Sequence, residues 1–260
     1  MIAAQHTTTA DGIRIEYEVR GSGSPAVVLV HGWSCDRSVW RHVVPMLAAD
    51  HQVVTLDLPG HGSSGHDRAS WTIQAFGSDV ASVVQAAVEG QVVLVGHSMG
   101  GDVILDAARL LPGRVPGLVW IDVYQTLDDD VSPAAVDRIL SPIRASFRSG
   151  TETFVRGMFL PDADPAVVAE VVALMAGATP RIAVPLVSAS MANAARVPAL
   201  LAELGLPTVA LNPAEPPSDA ASLASHGVRL VSLPGVGHFP MLERPAEFTR
   251  VLASVISELA

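Results

Sequence analysis

The stretch Gln91-Val92-Val93-Leu94-Val95-Gly96-His97-Ser98-Met99-Gly100-Gly101 decides the fold of this chain. Its apolar, largely β-branched first half predicts a strand that is covered on both faces. A serine on a tight turn from a strand into a helix has a strained backbone, which holds its hydroxyl clear of the surface. Gly96 and Gly100 fit this turn because a Cβ there would collide with the neighbouring helix and strand. We therefore predict a nucleophile, Ser98, before a helix that begins near Asp102; the alternative is a plain glycine-rich turn.

Further apolar strands lie on both sides of this stretch. Those before and after it are Ala26–Val30, Gln52–Leu56, Gly117–Ile121, Pro207–Leu211 and Val228–Leu233. Alternating apolar residues from Ile13 to Val19, after the Asp11-Gly12 turn, predict an antiparallel hairpin at the sheet edge. Helical periodicity separates several strands and is clearest from Phe248 to Leu259. The alternation predicts a doubly wound α/β fold, in which ligands bind at the carboxyl ends of the strands.

One segment interrupts this alternation. Between Gln125 and about Leu200 the sequence contains Ala- and Val-rich helical pieces and no convincing strand, and prolines such as Pro142 and Pro185 separate the pieces. We therefore expect residues 1–124 and 201–260 to form the core. Residues 125–200 would form a helical cap, or lid, over the carboxyl edge of the sheet.

Composition excludes several classes of function. The 260 residues carry 26 acids and 16 bases, a formal charge of −10, and every base is arginine. The missing lysine excludes Schiff-base catalysis, a Walker-type phosphate lysine and a Ser–Lys dyad. The scattered arginines argue against nucleic acid, and the histidine spacing predicts no metal site and no cofactor. The single Cys35, with no signal peptide and no apolar run of membrane-spanning length, predicts a cytoplasmic protein without a membrane partner.

A serine hydroxyl needs a base that takes its proton. The best candidate is His238, in a loop after the last predicted strand and before the final helix. The alternative is a histidine that only caps that helix. His97 adjoins the nucleophile in sequence, but we expect its side chain to point away.

Negative charge that develops on a substrate oxygen needs preorganised donors. The N–H of Met99 is one candidate, because this residue follows the nucleophile. The second is the N–H of Trp33, in the loop His31-Gly32-Trp33 after the strand Ala26–Val30. The alternative for this loop is an ordinary strand-ending turn.

Together these features resemble the α/β-hydrolase fold family along the whole chain, although the insertion matches only in position and helical character. The resemblance implies a mainly parallel eight-stranded sheet flanked by helices, a helical cap, an oxyanion hole and a Ser–acid–His triad. Ser98 matches the family's nucleophile, His238 its histidine, and Trp33 and Met99 its oxyanion-hole positions. A serine nucleophile argues against the haloalkane dehalogenase and epoxide hydrolase branches, which use aspartate.

The triad acid departs from the common family pattern. The family usually carries it in a Gly-x-x-Asp turn after the strand that corresponds to Pro207–Leu211, but here that turn contains Glu215 and no such motif. Asp122, at the carboxyl end of the preceding strand, is our first choice, since some family members carry their acid there. Glu215 and Asp219 remain alternatives, and Asp122 could instead cap the start of the insertion.

Three functions follow from this interpretation. The first is a serine esterase or lactonase that acts through an acyl-enzyme on a small-molecule ester or lactone. The second is a cofactor-free dioxygenase or C–C bond-cleaving enzyme that uses the His238–Asp122 pair, since related branches of the family also carry their acid on that earlier strand. The third is a binding protein without catalysis. Candidate pocket residues are His31, Tyr124, Phe154, Met158 and Phe239, although the cap residues could only pack; the oligomeric state stays open, with a homodimer as one option.

Overall fold

The computed structural model describes residues 5–128 and 132–260. Its centre is one eight-stranded sheet in the order β1-β2-β4-β3-β5-β6-β7-β8. The strands are β1 Gln5–Thr8, β2 Arg14–Arg20, β3 Ala26–Val30, β4 Val53–Leu56, β5 Val92–His97, β6 Leu118–Ile121, β7 Thr208–Pro213 and β8 Val228–Leu233.

The sheet is mixed, with the antiparallel part at one edge. β1 pairs antiparallel with β2, and β2 with β4, as the predicted hairpin required. The other pairings are parallel. β3 and β5 are buried along their whole length, as continuous apolar runs predict for strands covered on both faces. The predicted α/β-hydrolase fold is therefore confirmed.

The core helices cover the two faces of this sheet. They are α1 Val44–Leu47, α2 Ile73–Ala87, α3 Met99–Arg109, α9 Ala220–Ser225, α10 Pro240–Glu243 and α11 Pro245–Leu259. α11 buries Phe248, Leu252, Val255 and Ile256, the apolar stripe that the sequence predicted. The predicted start of α3 near Asp102 is wrong by three residues, because the helix begins at Met99, directly after Ser98.

Between β6 and β7 the described residues form five α-helices: α4 Pro133–Ala145, α5 Phe147–Arg156, α6 Pro165–Ala176, α7 Pro180–Asn193 and α8 Val197–Leu204. The described part of this segment, from residue 132 onward, contains no strand. Pro142 and Pro185 lie inside α4 and α7, so the expectation that they separate helical pieces is wrong. The division at residues 125 and 200 stays a prediction, and α8 crosses the second boundary.

The stretch Pro180–Leu204 is the one helical segment among the described residues that is long and apolar enough to span a membrane, with a mean hydropathy of 1.2 over its best window. The expectation that the chain has no apolar run of membrane-spanning length therefore does not hold by length and composition alone. The stretch is weak evidence for a membrane span, since core helices of globular proteins meet the same criteria. Here it includes a 3-10 turn at Ala194–Arg196, and residues such as Ile182 and Leu186 are buried.

Candidate active site

Ser98 lies on the turn between β5 and α3 with φ 51° and ψ −123°. Residues other than glycine rarely adopt this backbone conformation. Glycines on both sides make the turn possible. A Cβ on Gly96 would overlap the carbonyl oxygen of Gly100, and a Cβ on Gly100 would lie 2.5 Å from the carbonyl oxygen of Val30 in β3. The turn is therefore pressed against both the helix and the adjacent strand, as the sequence analysis expected.

His238 and Asp122 meet across the carboxyl ends of the strands. Nδ1 of His238 lies 2.5 Å from Oδ2 of Asp122, and the two side chains are only 16% and 11% exposed. Asp122 follows β6 directly and has a positive φ of 45°. Its backbone N–H donates to Leu211 in β7, and its other carboxylate oxygen accepts from Gln125 Nε2 at 2.8 Å. The carboxylate is thus held in one orientation toward the imidazole.

The other two candidate acids lie elsewhere. The side chain of Glu215 is exposed. Asp219 caps α9, where its carboxylate accepts from the N–H groups of Ala221 and Ser222 at 3.0 Å. Of these three carboxylates, Asp122 alone hydrogen-bonds to His238 within the part of the chain that the structure describes.

The loop of His238 is fixed from two sides. The carboxylate of Glu243 in α10 accepts hydrogen bonds from the N–H groups of Gly237 and Phe239, at 2.9 and 3.0 Å. On the other side, the N–H of His238 itself donates to the carbonyl oxygen of Met158, after α5. His238 does not cap the following helix, so the alternative interpretation of this residue is wrong.

A cavity of about 310 Å³ brings these residues together. Ser98 and His238 both line it, but among residues 5–128 and 132–260 no hydrogen bond joins the Ser98 hydroxyl to the His238 ring. Catalytic hydrogen bonds are often long in the absence of substrate. The predicted pocket residues Tyr124, Phe154, Met158 and Phe239 are also part of the cavity wall.

His31 is the exception among the predicted pocket residues, because it is fully buried and is not part of that wall. Its Nε2 accepts from the N–H of Leu58 at 3.0 Å, and its Nδ1 donates to the carbonyl oxygen of Gly32 at 2.9 Å. Burial lowers the pKa of His31 to about 4, which keeps the ring neutral as these two bonds require. His31 thus fixes the loop that follows β3 rather than contacting a ligand.

That loop carries the second predicted oxyanion donor, Trp33. It lies against the nucleophile, since a Cβ on Gly32 would be 3.0 Å from Cβ of Ser98. The indole Nε1 of Trp33 donates to the carbonyl oxygen of Ala183 in α7, at 2.8 Å. Trp33 and Met99 both line the cavity. Within the described residues, the backbone N–H of neither residue donates a hydrogen bond, so both remain available to a ligand.

Sequence reasoning did not place His97 and Asp102 in the cavity wall, where the structure has both. The ring of His97 lies 4.6 Å from the His238 ring, centre to centre, and lines the cavity; that its side chain points away from Ser98 stays a prediction. Asp102, in the first turn of α3, is a buried carboxylate in the cavity wall. The pattern of apolar and polar residues does not distinguish His97 or Asp102 from ordinary flanking residues, because both lie within or next to the nucleophile motif.

Two expectations concern metals and cysteine. Within the described residues, no group of three or more His, Cys, Asp or Glu side chains is placed to hold a metal ion. Cys35 is buried, and burial raises the pKa of its thiol. The cysteine is therefore a weak nucleophile at neutral pH.

Comparison with known proteins gives a consistent match. A model of the alpha/beta hydrolase family matches residues 27–251. A thermophilic esterase from Thermogutta terrifontis superposes with a TM-score of 0.82 at 25% identity, over 100% of this chain and 99% of that one. A pimeloyl-[acyl-carrier protein] methyl ester esterase from Methylococcus capsulatus is 41% identical over 110 residues, which is 42% of this chain and 40% of that protein.

A third relative is the dihydrolipoyllysine-residue acetyltransferase component of the acetoin cleaving system of Pseudomonas putida. It is 38% identical over 105 residues, which is 40% of this chain and 28% of that protein. The matched part thus spans well under half the length of these two curated relatives.

Proposed function

We propose that this chain, which belongs to the alpha/beta hydrolase family, is a serine hydrolase of carboxylic esters or lactones. The observation that carries the proposal is one cavity that holds both Ser98, on its strained turn, and His238, whose ring is bonded to Asp122. The esterases among its relatives support the same reaction class.

In this proposal the carboxylate of Asp122 accepts a hydrogen bond from the protonated Nδ1 of His238. The other ring nitrogen, Nε2, is then unprotonated and can take the proton of Ser98. The serine oxygen attacks the ester carbonyl carbon, and His238 then passes the proton to the leaving alcohol. Water, deprotonated by the same histidine, attacks the acyl-enzyme and releases the acid. Asp122 stays ionised and stabilises the imidazolium that forms in both halves of the reaction.

The N–H groups of Trp33 and Met99 would bind the oxygen that becomes negative during each attack. Two observations support this role: both residues lie beside Ser98, and neither backbone N–H donates a hydrogen bond to another described residue. The positive end of α3 adds to this field, because the helix begins at Met99. Losing one such donor costs about 10²–10³ in turnover in enzymes of this kind.

A fluorophosphonate probe tests the mechanism. After incubation, mass spectrometry of peptides is expected to find the adduct on Ser98, with none in the Ser98→Ala variant. Ser63, an exposed serine in another glycine-containing loop, supplies the control: Ser63→Ala is expected to label like the natural protein. A folded natural protein that does not react with the probe would contradict the proposal.

The substrate class rests on the cavity wall, which is mostly apolar and includes Phe154, Met158 and Phe239. We propose a small to medium ester or lactone. A series of p-nitrophenyl esters of rising chain length, measured beside a lactone panel, compares the two groups directly. An optimum at short to medium chain lengths is expected.

The second candidate, a cofactor-free dioxygenase or C–C bond-cleaving enzyme, is favoured by one observation. His238 is bonded to Asp122 but not to Ser98 among the described residues, so the pair could deprotonate a bound substrate directly. Activity on a hydroxy-heteroaromatic that survives Ser98→Ala, with oxygen uptake, would establish this alternative over ester hydrolysis.

A further inference from the structure

The cavity contains a second carboxylate that the proposed mechanism does not use. Asp102 follows Ser98 by four residues, one turn further along α3, and both side chains line the same cavity. Asp102 is only 3% exposed. A group bound there would lie within one small molecule's length of the reacting serine.

Asp102 has neutral partners only. The hydroxyl of Tyr124 donates to Oδ1 at 2.7 Å, and the hydroxyl of Ser190 in α7 donates to Oδ2 at 3.2 Å. Within residues 5–128 and 132–260, no arginine or histidine forms an ion pair with this carboxylate. By contrast, the next acid on α3 has a cationic partner, since Arg196 pairs with Asp106 at 3.3 Å.

A buried charge without an opposite charge is costly, and proteins seldom keep one without a use. Here the cost is visible, since burial raises the pKa of Asp102 to about 6, against the hydrogen bonds of Tyr124 and Ser190, which lower it. The carboxyl is still mostly ionised at neutral pH. The amide of Asn193 also lowers the pKa of Asp102; a carboxylate has about four acceptor sites, so one remains beside Tyr124, Asn193 and Ser190.

We infer that Asp102 is an anionic subsite for a protonated amino group, so that the ligand of this cavity is an amine-bearing molecule. The inference rests on the proposed function only in treating that molecule as the ester or lactone substrate. The apolar wall would pack the carbon chain, while Asp102 would bind the ammonium and Ser98 would face the carbonyl carbon.

Binding of two simple probes tests the subsite without requiring catalysis. Hexylammonium and 1-hexanol have the same carbon chain, and only the first carries a charge. Calorimetric titration at about pH 8 is expected to give at least about tenfold tighter binding of hexylammonium to the natural protein. Asp102→Asn is expected to abolish this preference. Glu152→Gln, which removes a half-buried acid that pairs with Arg148 on α5, is expected to keep it.

The inference would be overturned by equal affinity for both probes in the natural protein, or by a preference that persists in Asp102→Asn. A preference that Glu152→Gln also loses would point to overall charge instead, and would likewise overturn it. Should Asp102→Asn fail to fold, Asp102→Ser removes the same charge with a smaller side chain. The comparison of hexylammonium with 1-hexanol in the natural protein needs neither variant.

Kinetics then separates this inference from the proposed function. Each p-nitrophenyl ester of a linear amino acid with a terminal amine is paired with the unsubstituted ester of equal chain length. We expect kcat/KM to be higher for the amino ester than for the plain ester, mainly through a lower KM. The ratio of the two kcat/KM values is expected to fall to about one in Asp102→Asn and to be kept in Glu152→Gln. If the natural protein cleaves both esters equally well, the subsite is refuted and the proposed function stands. If it cleaves neither ester, the proposed function fails, and the titration with hexylammonium and 1-hexanol still tests the subsite.

Discussion

The ring of His97 donates a hydrogen bond from Nε2 to the backbone carbonyl oxygen of His238, at 2.8 Å. Because a carbonyl can only accept, the proton of His97 is on Nε2 and the ring is neutral with Nδ1 unprotonated. Burial, and next the neighbouring His238, lower the pKa of His97 well below its usual range, so the ring stays neutral through the working pH range. His97 therefore acts as a support that positions His238.

The His97 support predicts a specific kinetic effect. His97→Phe removes the donor but keeps an aromatic ring, and we expect kcat on an ester to fall about tenfold, since small misplacements of a catalytic group are costly. His97→Gln, whose amide can donate in place of Nε2, is expected to lose less. The pH dependence of kcat/KM should keep the same midpoint in both variants, because His97 does not titrate there. A shifted midpoint would assign the titration to His97 itself.

Asp122 and Glu215 give the clearest test of the triad acid. Asp122→Asn keeps the shape of the side chain but favours the wrong tautomer of His238, and the equivalent change in a serine protease lowers turnover about 10⁴-fold. We expect a loss of several orders of magnitude in kcat with little change in the free energy of unfolding. Glu215→Gln, in an exposed side chain, is expected to keep most activity. The reverse result, with Glu215→Gln inactive and Asp122→Asn nearly normal, would show that our acid assignment is wrong.

Gly100 tests the packing of the nucleophile turn. Alanine is favoured over glycine inside a helix by about 1 kcal/mol, so a free helical site would gain stability from Gly100→Ala. Here the new Cβ would meet the carbonyl oxygen of Val30 at 2.5 Å, and rigid backbone contacts of this kind cost about 1–3 kcal/mol or more. For Gly100→Ala we expect a lower free energy of unfolding, measured by urea denaturation, and no labelling of Ser98 by the fluorophosphonate probe. Gly90→Ala is the control, because a Cβ there has no atom within 4 Å.

Asp102 predicts a pH-dependent stability. Burial raises the pKa of its carboxyl from 3.8 to about 6, so the folded protein holds this proton where the unfolded chain has lost it. The free energy of unfolding therefore falls as the pH rises through this window. Above it, the buried charge costs up to about 3 kcal/mol.

Asp102→Asn removes that cost, so the variant is expected to be more stable than the natural protein at about pH 8 and to lose the advantage near pH 4. Urea unfolding of both proteins at the two pH values measures the difference. Tyr124 and Asp106 interact directly with the Asp102 carboxyl, so the measured difference is the net effect of removing this charge from the coupled group. A variant less stable than the natural protein at the higher pH would mean that the charge is compensated in the fold.

Local sequence patterns were sufficient for most of the sheet. Ala26–Val30 and Val228–Leu233 form strands with the predicted bounds, and the other predicted strands differ by one or two residues at their ends. Continuous apolarity decides this outcome, because a strand buried on both faces tolerates few polar residues. Helix starts and prolines were less predictable. α3 begins three residues early, and Pro185 lies within α7, because tertiary packing outweighs the local preferences of glycine and proline.

The nucleophile turn and the class of fold were predictable from the residues alone, since glycine spacing and apolar runs are local requirements of a strand entering a helix. The contact between His238 and its acid needed the folded chain, because Asp122, Glu215 and Asp219 all follow strands at the same edge of the sheet. The fold also turned His31 away from the cavity and brought His97 and Asp102 to it. These outcomes depend on side-chain directions across elements far apart in the chain, and a linear pattern carries no information on such directions.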